Sequence, residues 1–325
     1  MRRASEADTR GGKPQAGAIE IALVNNMPDQ ALSSTMAQFS RLVRAGAGER
    51  PYRLRGYALP SVARGESARR YLRQTHDEID ALYARGTDAL IVTGAEPRAA
   101  RLDEEPYWPD LARLVDWARD RTVSTIWSCL ASHAALLRLD GIERRRLPEK
   151  LSGAYAFETT PGDWATFGAE ARILAPHSRY NEAPREELER RGYAISAASE
   201  TAGVDAFWRR EPSLFLFLQG HPEYDADSLV KEYRRDALRF VGGERDDYPN
   251  PPVGVFSDSA VARLEALRRR TMRGRAEKTE SFEARLDAIL AAAPVAATWD
   301  ADASRLYRNW FDAVANEKLA MRRSA

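Results

Sequence analysis

Three side chains in two distant stretches of this sequence have the types that acyl chemistry needs. The only cysteine, Cys129, sits within residues 122–136 (TVSTIWSCLASHAAL), which read as a buried strand running into a sharp turn and then a helix. A side chain at that junction stands clear of the sheet, beside the backbone N–H groups that open the helix. There it can attack a carbonyl and have the oxyanion caught at once. A free cysteine is more often a small buried hydrophobe, so one cysteine carries little by itself. Residues 214–225 (LFLFLQGHPEYD) add to it: an apolar strand ends, and a histidine and a carboxylate follow two residues apart. In an extended segment residues i and i+2 face the same side. Glu223 is then able to hold His221 in the tautomer that takes a proton from Cys129. The oxyanion donors are expected to be the Leu130 N–H and an N–H of the 93–98 loop, with Ala95 as the candidate.

Composition bounds what surrounds this chemistry. The chain has 325 residues, 44% of them apolar, and a formal net charge of +1, enough for one large domain or two small ones. No apolar run reaches the roughly 18 residues of a membrane span, and the first seventeen residues lack the apolar core of a secretory signal. Residues 1–17 read as a flexible polar tail. One cysteine excludes an internal disulfide framework and a cysteine zinc cage, and four dispersed histidines offer no ligand spacing, so no metal and no bound cofactor are expected. A reducing, cytoplasmic location fits. Charged residues make up 30% with both signs interspersed, which leaves no global field for nucleic acid. The basic run at 268–278 has no interleaved aromatics and reads as a solvated helix face or loop.

The elements that must position the site alternate. Residues 19–25 (IEIALVN) predict a buried strand, a turn at 26–29, and an amphipathic helix through Met36, Phe39, Leu42 and Val43. Residues 52–59 predict a second strand, followed by a polar loop with Gly65 and a helix that carries Ile79, Leu82 and Tyr83 and stops at Gly86. Residues 88–95 predict a third strand ending in a glycine turn, residues 107–118 a helix, and the strand before Cys129 a fourth. This is the pattern of βαβ units in a mostly parallel open sheet with helices on both faces. Behind Cys129 the strands become shorter and less regular, at 151–157, 193–198, 205–209 and 214–218, as in an added antiparallel β-section, and a helix at 226–240 closes it. Functional groups in open α/β sheets gather at the carboxyl ends of strands, where the 25–28 turn, the 93–98 loop, Cys129 and His221 all fall. Residues 241–256 are turn-rich. Beyond them come a charged helical stretch, an Ala/Pro linker at 291–297, and a last helix whose aromatic stripe (Trp299, Tyr307, Trp310, Phe311) reads as packed on the core or on a partner subunit.

These pieces together resemble the homoserine O-acyltransferases (succinyl- and acetyltransferases) of the MetA type, a family whose fold is related to the class I glutamine amidotransferases, which is flavodoxin-like. The matching motifs are Asn26-Met27-Pro28, residues 91–95 (IVTGA), Tyr107-Trp108, Ser124-Thr125, residues 148–153 (PEKLSG), residues 176–180 (PHSRY), residues 220–225 (GHPEYD), Glu232-Tyr233 and Arg235-Asp236. The resemblance implies an acyltransferase domain at 18–245 and a C-terminal helical extension at 246–325, with a homodimer left open. It implies Cys129 as the acylated nucleophile, His221 as general base and acid, Glu223 as its orienting partner, and substrate contacts at Lys150, Ser178 and Arg235. An amino-acid carboxylate suits the fork of an arginine. The implied partners are succinyl-CoA or acetyl-CoA as co-substrate and homoserine, serine or another hydroxy amino acid as acceptor, in biosynthesis of the methionine or cysteine type. The chain departs from the family at Leu130, where an aromatic is usual, at His133, usually glutamine, and at Asp29 and Gln30, usually a lysine pair. Arg98 occupies the position that helps sort acyl donors, glycine for succinyl or glutamate for acetyl in the family. A guanidinium there favours a donor with a second carboxylate, hence succinyl. The alternative with the same Cys and His-x-Glu is a glutamine amidotransferase-like glutaminase, whose cysteine is normally flanked by glycines; residues 128–132 (SCLAS) contain none.

Overall fold

The computed structural model describes residues 17–210, 212–273, 279–295 and 298–324. Most of the expected tail, the last part of the basic run and the end of the Ala/Pro linker lie outside the described residues. In chain order the elements are β1 (Ile19–Val24), α1 (Leu32–Ala47), β2 (Tyr52–Tyr57), α2 (Glu66–Thr75), β3 (His76–Asp77), α3 (Ile79–Arg85), β4 (Ala89–Val92), α4 (Trp108–Arg121), β5 (Ser124–Ser128) and α5 (Leu130–Asp140). They continue with β6 (Arg145–Thr159), β7 (Arg172–Glu182), α6 (Arg185–Arg190), β8 (Ala194–Ser199), β9 (Gly203–Arg210), β10 (Leu214–Leu218), α7 (Ser228–Val241), α8 (Asp258–Arg273), α9 (Thr279–Ala291) and α10 (Asp300–Ser324).

Among the described residues the strands form one sheet in the order β3-β2-β1-β4-β5-β10-β9-β8-β6-β7. The first six run parallel, and the pairings from β10 outward through β9, β8 and β6 to β7 are antiparallel. This is the predicted architecture: a mostly parallel sheet covered on both faces, an antiparallel section on one side, and a C-terminal helical extension. The central strands β4 and β10 are apolar along their length because both faces are covered, while β1 carries Glu20 and β5 carries the buried Ser124, Thr125 and Ser128. Val24, Leu90, Val92, Trp127 and Phe217 point to the side packed by α4 and α5. Leu23, Ala89, Ile91, Ile126 and Leu216 alternate with them and point to the side packed by α1 and α10. The aromatic stripe of α10 is core: Tyr307, Trp310 and Phe311 are buried on that second face, and Trp310 Nε1 donates to Ser124 Oγ at 2.9 Å.

The structure contains elements that the sequence expectation lacks, among them β3, α6 and the part of β6 before residue 151, and two of the differences have a clear physical reason. The polar loop after β2 contains the helix α2, which buries only Ala68 and is laced by Glu66 with Arg69 and Arg73. Ala68, Tyr71 and Leu72 fall at helical spacing, a short stripe that the charged composition of the stretch obscures. Another is β7, which the sequence does not announce because Pro176 separates the apolar Ile173, Leu174 and Ala175 from a polar second half. A proline is tolerated there because β7 is the edge strand. The charged stretch after residue 256 forms α8 and α9, whose Leu264, Leu267, Phe282, Leu286 and Ile289 make a third core with Leu229 and Tyr233 of α7. No described helix is long and apolar enough to cross a membrane.

Candidate active site

β1, β4, β5 and β10 are parallel neighbours, so their carboxyl ends meet at one rim of the sheet. Cys129 follows β5 there and is the residue preceding the first turn of α5. Its backbone has φ 50° and ψ −113°, the only positive φ of a non-glycine among the described residues. A β-carbon is strained in that region, so the conformation persists only because the surroundings impose it. The Cys129 N–H donates to the Leu218 carbonyl at 2.7 Å, tying the turn to the end of β10, and Ser132 Oγ donates to the Cys129 carbonyl at 2.7 Å. The sharp strand-to-helix turn lifts the sulfur out of the sheet and leaves it half-buried.

The 93–95 loop crosses directly over the start of α5. A β-carbon at Gly94 would lie 2.5 Å from Leu130 Cβ and 3.1 Å from the Leu130 nitrogen, so only glycine allows this approach. The loop is pinned from β1: the Asn26 N–H donates to Thr93 Oγ1 at 2.8 Å, Asn26 Nδ2 to the Thr93 carbonyl at 3.2 Å, and the Leu59 N–H to Asn26 Oδ1 at 3.1 Å. Asn26 belongs to a motif quoted above without a role; here it holds the loop that faces the start of α5 beside Cys129. Gly94→Ala is expected to fold but to lower kcat about tenfold, because displacing the loop misaligns donors held to sub-ångström tolerance. Unchanged kcat in a correctly folded Gly94→Ala protein would remove the loop from the chemistry.

His221 and Glu223 meet, but by a different route from the one the sequence predicts. The segment after β10 is not extended: the Tyr224 N–H donates to the His221 carbonyl at 3.0 Å, closing a turn. The turn brings His221 Nδ1 to 2.9 Å from Glu223 Oε1, which leaves the ring's other nitrogen free of that carboxylate, and the ring lines the same cavity as the Cys129 sulfur. Burial disfavours the charged ring, yet the Cys129 sulfur and Glu223 outweigh it and hold the His221 pKa well above the ordinary histidine value. The turn is anchored from both helices of one face. Arg41 of α1 donates to the Glu223 carbonyl at 3.0 Å, and Trp299 Nε1, just before α10, donates to the Tyr224 carbonyl at 2.9 Å. The Tyr224 ring stacks on His221 with centroids 4.3 Å apart.

A cavity of about 250 Å³ opens over the sulfur, lined by Cys129, His221, Glu223, Leu130, Ala95, Lys150, Ser178 and Arg235 among others. The structure thus brings together every sequence-proposed site residue except Arg98. Arg98 is exposed and lines two neighbouring depressions instead, and its backbone N–H is tied to the buried Glu105 carboxylate. The pairing of β6 with β7 shifts register between Arg146 and Leu151, a bulge that includes Lys150. Two carboxylates that the sequence argument leaves without a role organise the cations. Glu232 accepts from Ser178 Oγ and, at 2.6 Å, from Tyr224 OH, and Lys150 Nζ is 3.5 Å away. Asp236 accepts from Lys150 at 2.9 Å and from Arg235 Nη2 at 2.9 Å, with Arg245 at 3.3 Å. Burial raises the Glu232 pKa, but Lys150, Ser178 and Tyr224 together bring it below the ordinary value, so the group is a buried anion. Their i, i+4 spacing on α7 was the available signal.

Behind the sulfur lies a second buried network. Arg179, 4% exposed, donates through Nε to His177 Nδ1 at 3.2 Å and to the Asn181 and Ala202 carbonyls. Accepting at Nδ1 leaves the His177 hydrogen on Nε2, which lies 3.1 Å from Asp205 Oδ1. Burial holds the His177 pKa down, against the pull of Asp205, so the ring is neutral. Gly220 sits on this pair: a β-carbon there would be 2.6 Å from Asp205 Oδ1 and 2.9 Å from His177 Nε2. The next residue, His221, donates its N–H to the Pro176 carbonyl of β7 at 2.8 Å. Arg179 also lines the cavity; burial lowers its pKa, Glu182 and then the Cys129 sulfur act against that, and no carboxylate of the described residues is within ion-pair distance of it. No cluster of described residues has the composition of a metal site.

A family model described as homoserine O-succinyltransferase matches residues 4–319. Among similar curated proteins, the homoserine O-succinyltransferase of Rhodopseudomonas palustris is 47% identical over 302 residues, covering 93% of this chain and 90% of that protein. The homoserine O-succinyltransferase of Bradyrhizobium japonicum is 46% identical over 302 residues, covering 92% and 90%. Among solved structures, a glutamine amido transferase from Methylobacillus Flagellatus aligns with a TM-score of 0.48 at 17% identity, covering 92% of this chain and 96% of that one.

Proposed function

The chain belongs to the homoserine O-succinyltransferase family, and on that premise we propose that it moves a succinyl group from CoA through a thioester on Cys129 to the hydroxyl of homoserine. The observation that carries this mechanism is the Cys129 sulfur sharing one cavity with a buried His221, which Glu223 holds at 2.9 Å and whose charged form the sulfur favours. The sulfur attacks the carbonyl of the CoA thioester, with the oxyanion beside the Leu130 and Ala95 N–H groups. The intermediate collapses, the carbon–sulfur bond to CoA breaks, and CoA leaves as a thiol with the proton of His221. The homoserine hydroxyl then gives its proton to His221 as its oxygen attacks the acyl-cysteine, and the Cys129 sulfur is released. Exchange of one thioester for another is nearly isoenergetic, which suits a sulfur nucleophile.

Homoserine offers a carboxylate and an ammonium group. Arg235 and Lys150 supply cations for the first, and the buried anion Glu232, fixed by Ser178, supplies a partner for the second. Serine as acceptor would present its hydroxyl one carbon nearer the same pair of charged groups, so the acceptor is read by the distance from these groups to the sulfur. We take residues 18–245 as the acyltransferase domain and 246–325 as an extension that braces the His221 turn through Trp299, and we assign the reaction to biosynthesis of the methionine or cysteine type. For the donor, an exposed ion pair is worth at most about 1 kcal/mol, which argues for the buried Arg179 over Arg98 as the reader of the succinyl carboxylate.

Intact-mass measurement after mixing the protein with succinyl-CoA, acetyl-CoA or glutamine tests this reading. One succinyl group on Cys129, removed again by homoserine, is the expected outcome. A glutaminyl adduct with ammonia release, or no adduct from either CoA ester, would overturn it.

The raised pKa of His221 has a kinetic sign. A raised value keeps the proton on through neutral pH and releases it only at higher pH, so the alkaline fall in kcat/KM for the acyl-CoA lies above the ordinary histidine range. Glu223→Gln removes one of the charges that raise it. The fall should then move to lower pH, and the plateau should drop about tenfold as the ring loses its orienting bond. An alkaline limb that stays where it is in the variant would count against Glu223 as the partner of His221.

A further inference from the structure

A second cavity of about 730 Å³ adjoins the one over Cys129 and shares with it the walls formed by His133, Pro97 and Tyr180. Its lining includes four arginines, of which Arg101 is spent on Asp103 and Glu143. Arg98, Arg144 and Arg146 remain, and none of them forms an ion pair with a carboxylate among the described residues. Arg144 is the most telling: burial pulls its pKa below the usual arginine value, one terminal nitrogen donates to the Ala100 carbonyl at 3.1 Å, and the other is buried without a partner. Arg146 lies over the Tyr180 ring, 5.5 Å from its centroid. A desolvated guanidinium with unused donors, next to two exposed ones, suits a phosphate better than a single carboxylate.

His133 stands between the two cavities, one turn along α5 from Cys129. It is 4% exposed, and its Nδ1 has no hydrogen-bond partner. Burial, with Arg179 and Arg144 nearby, lowers its pKa to about 3, so the ring is neutral. A neutral imidazole with a free nitrogen matches a neutral amide, and a buried polar atom left unpaired is destabilising until something satisfies it.

We propose that the arginine-lined cavity binds the phosphates of the acyl-CoA and that the pantetheine arm, which carries two amides, passes His133 to deliver its thioester to Cys129. This inference rests on the acyltransferase reading and assigns a subsite to its donor. Removing the nucleotide should therefore weaken the donor, and the arginines should matter only while the nucleotide is present.

The test compares succinyl-CoA with succinyl-pantetheine, using adenosine bisphosphate, the nucleotide half of CoA, as competitor. In the unaltered protein succinyl-pantetheine should have a KM at least about tenfold higher, and adenosine bisphosphate should compete with succinyl-CoA. Arg146→Ala and Arg144→Gln should each raise KM for succinyl-CoA about tenfold, the value of one charge-assisted hydrogen bond, and leave KM for succinyl-pantetheine unchanged. Arg146 is exposed, so its variant is the one free of folding effects. Unchanged KM for succinyl-CoA in both variants, or an equal rise with both donors, overturns the proposal while leaving acyl transfer intact. A protein acylated by neither donor overturns the acyltransferase reading itself, and this inference with it.

Discussion

Cys129→Ala should lower kcat/KM for acyl transfer at least about ten-thousandfold, because the variant has no group to carry the acyl chain and only binding and the oxyanion donors remain. The same substitution should leave the fold intact. Alanine keeps the β-carbon, and the turn is held by backbone bonds from Cys129 N–H to Leu218 and from Ser132 to the Cys129 carbonyl. A second variant separates nucleophile from scaffold. With φ at 50° the cysteine holds a backbone strain of order 1 kcal/mol that glycine does not feel. Cys129→Gly should therefore be as inactive as the alanine variant yet melt about 2 °C higher than it. Calorimetry of the two variants beside the kinetics checks both halves. Activity surviving in Cys129→Ala would end the thioester mechanism, and a glycine variant melting below the alanine one would show that the turn is not strained.

What could be read from the sequence was whatever depends on local pattern. The central strands announce themselves because burial on both faces makes β4 and β10 unbroken apolar runs and leaves β1 and β5 rich in buried β-branched or apolar residues, and the glycine after Thr93 and the cysteine after Ser128 mark where the chain must turn. His221 and Glu223 were legible as a pair, although the reason differs: a closed turn, not an extended segment, joins them. What stayed hidden depends on contacts between distant segments. Strand β7 is polar and contains Pro176, yet its carbonyl at that residue fixes the backbone of His221. Asn26 lies far from Thr93 in sequence, and nothing local says that its amide pins the loop over α5. Glu232 and Asp236 look like ordinary surface charges of an amphipathic helix until β6, β7 and the His221 turn close over them. Arg98 is the reverse case. Its position in the chain suggested an acyl contact, and the path of the 96–100 loop, tied to Glu105, points it into the neighbouring cavity.

That displacement sets the expected donor selectivity. On the thioester reading, the carboxylate of a succinyl group on Cys129 would end within a few bonds of the sulfur, Arg179 lines the same cavity, and a buried guanidinium would pair with that carboxylate far more strongly than an exposed one. Arg179 spends three donors on His177, Asn181 and Ala202, which leaves two of its five for a ligand. Arg179→Gln should therefore cut the ratio of kcat/KM for succinyl-CoA over acetyl-CoA about a hundredfold, the equivalent of a desolvated charge-assisted pair. Arg98→Glu should change that ratio less than about fivefold, because its side chain is solvated, while raising KM for both donors through the phosphate subsite. The ratio is read within one preparation, so a variant that is only partly folded still reports it. If Arg179→Gln slows both donors equally, its charge acts on the Cys129 sulfur and not on the acyl group. If Arg98→Glu alone collapses the ratio, the loop reaches the acyl group after all, and the arginine that reads succinyl is the exposed one.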